Sequence, residues 1–144
     1  MKRNRLGLAA LPVIAALLLS SCAEAVSDEY VVLNEPGSVE PIEGTDLARV
    51  TLADGAAERL ELQTTPVAKS AGGLVVPSAA VFVDTEGVWW VYTNPEPNVF
   101  VRHEIGLERS DGGVAFLSSG PAPGTDVVTV GVPELYGVEA EVDH

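Results

Sequence analysis

Asp84-Thr85-Glu86-Gly87-Val88-Trp89-Trp90-Val91-Tyr92-Thr93 decides the fold. Gly87 is free to take the left-handed conformation that ends a type I turn with a bulge, so Asp84–Gly87 reads as a hairpin loop. The run after it is valine, aromatic and threonine, the residue types that fit a pleated, half-buried surface. Before the loop, Ala79–Val83 is apolar enough to pair back onto that run. The same reading extends outward in both directions. Leu47–Leu52, Thr65–Ala68, Leu74–Val76, Val99–Leu107, Val114–Ser118 and Asp126–Val130 are short, valine-rich and separated by turn residues, with a second hairpin signal at Asp111-Gly112-Gly113. Only Asp54–Leu60 has helical character, with an early acidic residue and Ala57 and Leu60 placed to face inward. The expected class is mostly β: a small antiparallel barrel or sandwich with one short α-helix.

Side chains alternate across a strand, so the consecutive Trp89 and Trp90 must point to opposite faces. We expect Trp89 and Val91 to face the core, and Trp90 and Tyr92 to be more exposed. With Arg102 nearby in the next strand, Trp90 and Tyr92 have the composition of a partner-binding patch, since Trp, Tyr and Arg concentrate binding energy at interfaces. The alternative is that loops such as Asn94–Asn98 cover both tryptophans. Within Val99–Leu107, Val99, Val101, His103, Ile105 and Leu107 alternate against Phe100, Arg102, Glu104 and Glu108, which puts His103 on the apolar side. A metal site needs several convergent donors and the only other histidine is His144, so His103 reads as a satisfied or rim residue.

Upstream of the β-rich region the chain changes character. Lys2, Arg3 and Arg5 precede an apolar run, Leu6–Leu19, too short to span a bilayer, and Leu19-Ser20-Ser21-Cys22 follows. This is the pattern of a lipoprotein signal, residues 1–21, with Cys22 as the lipidated first residue of the mature chain. The alternative is a plain cleaved signal followed by an accidental free thiol. Ala23–Asp46 holds seven acidic and no basic residues, together with Pro36, Gly37, Pro41 and Gly44, so residues 22–46 read as an acidic tether. One apolar island, Tyr30–Leu33, has the composition to dock on the globule that follows, residues 47–144.

Three of the eight Lys and Arg lie in the signal, which leaves five against 21 acidic residues and a formal charge of −16 on the mature part. Nucleic acid is excluded as a partner, because binding it takes clustered basic residues. With Cys22 the only cysteine, an intramolecular disulfide is excluded too. No G-x-S-x-G, phosphate-cradling loop or H-E-x-x-H occurs, so no enzyme is expected and no cofactor. The expected membrane contact is the lipid on Cys22.

Several of these segments, in order, resemble a known family. Val76-Pro77-Ser78-Ala79-Ala80-Val81, Asp84, Gly87, Val91-Tyr92, Phe100-Val101-Arg102, Ile105-Gly106, Ser119-Gly120, Gly124-Thr125-Asp126-Val127-Val128 and Gly131 resemble the C-terminal part of periplasmic adaptor subunits, or membrane fusion proteins, of tripartite efflux pumps. Val50-Thr51-Leu52, Ala57, Arg59-Leu60 and Thr64-Thr65-Pro66-Val67 resemble the segment with which the β-barrel portion of many of those adaptors opens. The resemblance implies a scaffold and a kind of partner, a membrane transporter or other envelope protein, and no catalytic or metal residue. The long helical hairpin and lipoyl-like domain of a full adaptor have no counterpart here, and Glu61 and Pro121 stand where the family often has glycine and leucine. The chain is thus expected to be an adaptor-like interaction module accessory to a transporter. The alternative is a small-ligand or metal-binding envelope lipoprotein.

Overall fold

Valines at successive positions on both sides of a strand require that both faces of the sheet be covered. Val91 and Tyr92, and again Val127 and Val128, are consecutive and all fully buried. A computed structural model, which describes residues 36–142, shows how. Its elements are β1 (Gly37–Pro41), β2 (Ala48–Leu52), α1 (Ala56–Arg59), β3 (Gln63–Pro66), β4 (Ala68–Ser70), β5 (Gly73–Pro77), a 3-10 turn (Ser78–Ala80), β6 (Phe82–Val83), β7 (Trp89–Glu96), β8 (Val99–Glu104), β9 (Gly106–Asp111), β10 (Val114–Ser119), β11 (Asp126–Val130) and α2 (Val132–Val142). One sheet has the order β1-β2-β8-β7-β11-β3, with β6 also on β7; the other has the order β4-β5-β10-β9. Every pairing is antiparallel. The fold is mostly β, as expected, and of the two expected forms it is the sandwich.

Two cores follow from this layering. On one face of the larger sheet Val50, Leu52, Tyr92, Phe100 and Val128 pack with Ala56 of α1 and Val132, Leu135 and Val138 of α2. On the other face Val91 and Val127 pack with Val67, Val76, Ala80, Ile105, Ala115 and Leu117, mostly from the smaller sheet. The hairpin that opened the reading is present: the Asp84 amide donates to the Val88 carbonyl, the Gly87 amide to the Asp84 carbonyl, and Gly87 has φ 85°.

The structure corrects three expectations of element placement. Val99–Leu107 is two strands in two sheets. The Ile105 amide makes the last ladder bond, to the Trp89 carbonyl, and at Gly106 the chain crosses to the smaller sheet. A side chain at 106 would crowd Ser118 Oγ and Ser119 Oγ, so a larger residue at the crossing requires those two hydroxyls to turn away. His103, directly opposite Val91 in the ladder, shares its face but is exposed near the end of β8, a rim position. Residues 37–41, read as tether, form β1 and pair with β2 over their whole length. A helix beyond the expected α1 ends the chain: α2 opens after Gly131, at φ 89°, with Pro133 in its first turn, where a missing N–H costs nothing. Cys22 and Tyr30–Leu33 lie outside the described residues. Among the described residues, no helix is long and apolar enough to cross a membrane.

Candidate functional site

Glu139 sits one turn beyond Leu135 on the inward face of α2, and only 7% of it is exposed. A buried carboxylate needs partners, and the larger sheet supplies them from two adjacent strands at one register, Tyr92 opposite Arg102. Tyr92 Oη donates to Glu139 Oε2 at 2.5 Å, and Arg102 Nε lies 2.9 Å from Oε1, off the axis of an aligned hydrogen bond. Burial and the neighbouring carboxylate push the Tyr92 phenol far above its ordinary range, so it remains a proton donor. Phe82 stacks on its ring at 5.0 Å and touches Tyr136 of α2 at 5.7 Å.

The cluster continues to the surface. The Arg102 guanidinium lies 5.0 Å over the Trp90 ring, and Trp90 Nε1 donates to Asp84 Oδ2 at 2.7 Å. Asp84 Oδ1 accepts the amides of Glu86 and Val88 at 2.9 Å each. Burial raises the Asp84 carboxyl's pKa, but the bonds from Trp90 and the turn amides outweigh it and hold the group below the ordinary carboxylate range. One chain of contacts thus runs from Asp84 through Trp90, Arg102 and Glu139 to Tyr92, and it joins the hairpin turn, the sheet and the last helix.

Above this floor lies a cleft of about 640 Å³. Its walls are the β1–β2 hairpin (Val39, Asp46, Leu47), the turn before β7 (Asp84, Glu86) and Tyr136 on α2. A shallower depression of about 320 Å³ lies beyond Asp46 and Leu47, bounded by Trp90, His103 and Glu104. Arg102 lines both.

The three residues read from sequence as a partner patch are therefore brought together, but facing inward. Tyr92 is fully buried with its hydroxyl bound, so it cannot meet a partner; Trp90 is half-buried, and the Arg102 side chain is 18% exposed. The expectation that Trp89 is core is also overturned: Trp89 is 40% exposed while Val91, two residues on, is fully buried. Both share a face, but Trp89 stands at the start of β7, beyond the cover of the second sheet. Opposite it across the ladder is Val83, 48% exposed, so the two make an apolar pair at the hairpin. The sequence signal for this was positional: the first residue of a strand beside a turn is the least covered. Glu139 was missed because residues after Gly131 were given no element; Pro133 and the 132, 135, 138 spacing were the available signals.

Among the described residues, no three His, Cys, Asp or Glu converge as a metal-ligand set. Comparison with known proteins adds no identity: no family model matches the chain, and no curated protein matches it.

Proposed function

We propose that this chain is an envelope lipoprotein, tethered outside the cytoplasmic membrane by lipid on Cys22, whose sandwich acts by contact with another envelope protein and not by catalysis. The lipoprotein pattern at Leu19–Cys22 supports the anchor, and the excess of acidic residues favours a globule held away from anionic headgroups. The adaptor-like order of segments from Val50 to Gly131 supports a transporter as the partner. One observation carries the contact reading: Val83 and Trp89, paired across β6–β7, are large apolar side chains left open beside a turn that the Asp84 carboxylate fixes. An exposed tryptophan is a residue type that anchors interfaces.

In-cell photocrosslinking from position 89 tests this, with position 111 on the β9–β10 turn as the control. A membrane transporter subunit captured from 89 and not from 111 is the expected result. Capture only of secreted or cell-wall proteins, or equal capture from both positions, overturns the reading. The anchor is tested separately: the Cys22→Ser chain should lose both detergent-phase partitioning and the lipid mass increment, and retention of either overturns it.

A further inference from the structure

Val83 and Trp89 are two of the three large apolar side chains left exposed among the described residues, and they face each other across the β6–β7 ladder. The backbone beside them is open as well. The Asp84 amide bonds to the Val88 carbonyl, so residues 84 and 88 are a hydrogen-bonded pair, and Val83 with Trp89, the next pair along, is a non-hydrogen-bonded one. The N–H and C=O of Val83 therefore point away from β7, and among the described residues no other strand pairs with β6. An open sheet edge of this kind accepts an extended segment as an added strand. β6 is two residues long, so the edge offers only the main-chain groups of Val83, and side chains must supply the rest of the affinity.

Charge selects the segment. Residues 79–89 and 103–108, which carry β6, the turn, the start of β7 and the end of β8, hold Asp84, Glu86, Glu104 and Glu108 and no Lys or Arg. His103, exposed on the face of Trp89, is the other titratable side chain there. A second copy of this chain would bring the same carboxylates to the contact, and an anionic lipid surface would be repelled as well. A segment with lysine or arginine beside apolar side chains is matched both to the open pair and to the charge around it.

We propose that the β6 edge docks an extended, basic and apolar segment of a partner protein. The segment's backbone bonds to Val83, its apolar side chains rest on Val83 and Trp89, and its basic side chains lie against Glu86 and Glu104. This docking rests on the contact at Trp89 proposed above and gives the partner its chemistry.

The test uses the full chain in zwitterionic detergent micelles at about 0.15 M salt, where exposed charges more than about 8 Å apart are screened. The probe is a capped Lys-Val-Lys-Val-Lys peptide. Its Glu-Val-Glu-Val-Glu analogue and a lysine form N-methylated at both valines, which cannot donate to the Val83 carbonyl from those positions, are the controls. Nitrogen–proton NMR should show saturable shifts at the Val83 amide and the Trp89 indole N–H with the unmethylated lysine peptide alone. Glu86→Lys with Glu104→Lys reverses two exposed charges and should weaken that binding about tenfold, with the resonances of Leu117 and Val128 unmoved as evidence of an intact fold. Non-saturating shifts, equal shifts from either control peptide, or unchanged binding by the double variant would overturn the proposal. If the peptide fails while position 89 still captures a transporter subunit in cells, the contact stands and only its basic chemistry falls; absence of capture from 89 removes both.

Discussion

The two faces of the larger sheet are built from neighbouring residues and held together by different physics. Toward the smaller sheet, Val91, Val127, Ala115 and Leu117 pack in one apolar cluster. Toward α2, Tyr92 and Arg102 stand among Phe100, Val50 and Leu135, and what they meet is a carboxylate. The first face gains stability in proportion to area removed from water, without regard to direction. The second has apolar packing too, but its charged members hold only if each has its partner. The apolar face is sensitive to changes in side-chain volume; the mixed face can be damaged by losing one atom.

Removing volume from the apolar face gives the largest expected effect. Leu117 is fully buried, so Leu117→Ala should cost about 4 kcal/mol, the lost transfer energy plus a cavity. Urea unfolding measures it, and the cost should be the same at pH 5 and pH 8. A cost under about 1 kcal/mol would mean that the two sheets are not packed as described.

Next comes Glu139→Leu, which leaves the part-buried Arg102 with no carboxylate, at a cost of about 3 kcal/mol. The contrast is sharpened by its rescue. Arg102→Leu combined with Glu139→Leu should return to within about 1 kcal/mol of the parent, because a buried pair replaced by apolar groups is close to neutral. No second substitution should rescue Leu117→Ala in that way. If the double variant is as unstable as the single one, the ion pair is not what the mixed face depends on.

Tyr92→Phe is milder. The ring and its stack on Phe82 remain, and the loss is one hydrogen bond to a buried carboxylate, at about 2 kcal/mol. The same unfolding measurement applies, and an unchanged midpoint would show that Glu139 is satisfied without the phenol.

How much of this was legible follows the same division. The apolar face was read from valine spacing and turns: β5, β10, β11 and both hairpins fall close to where Gly87, Gly112 and Gly113 predict them. What sequence did not reveal was which strand end the second sheet covers. That is a matter of sheet length, so alternation assigns Trp89 to the core although it lies exposed, while His103, on the same face, lies at its rim. Nor could alternation find the switch at Ile105, since both strands keep the same parity while changing sheets. Tyr92 and Arg102 were singled out by residue type as contact residues, and they do make contacts, with Glu139 on a helix that strand periodicity had no way to propose. The positive φ of 53° at Glu61, a residue that is not glycine, shows the same limit from the other side. The backbone keeps the conformation, and the residue type does not announce it.

The smallest expected effect lies where the mixed face reaches water. Asp84 has its carboxyl held below the ordinary range, net of burial, by Trp90 and the turn amides, so the folded chain binds its proton more weakly than the unfolded chain does. Stability from this group is therefore fully present above the unfolded carboxylate value of about 3.9 and is lost as the pH falls through its lower folded value. Asp84→Asn keeps the side-chain shape and removes that dependence. Its unfolding midpoint should lie slightly below the parent's at pH 7, and the gap should narrow as the pH falls below the unfolded carboxylate value of about 3.9, whereas Leu117→Ala keeps a constant gap over the same range. A gap for Asp84→Asn that does not narrow at all below about pH 3.9 would mean that the hydrogen bonds at Asp84 do not favour its charged form, and the chain of contacts from the turn to Glu139 would then end at Trp90.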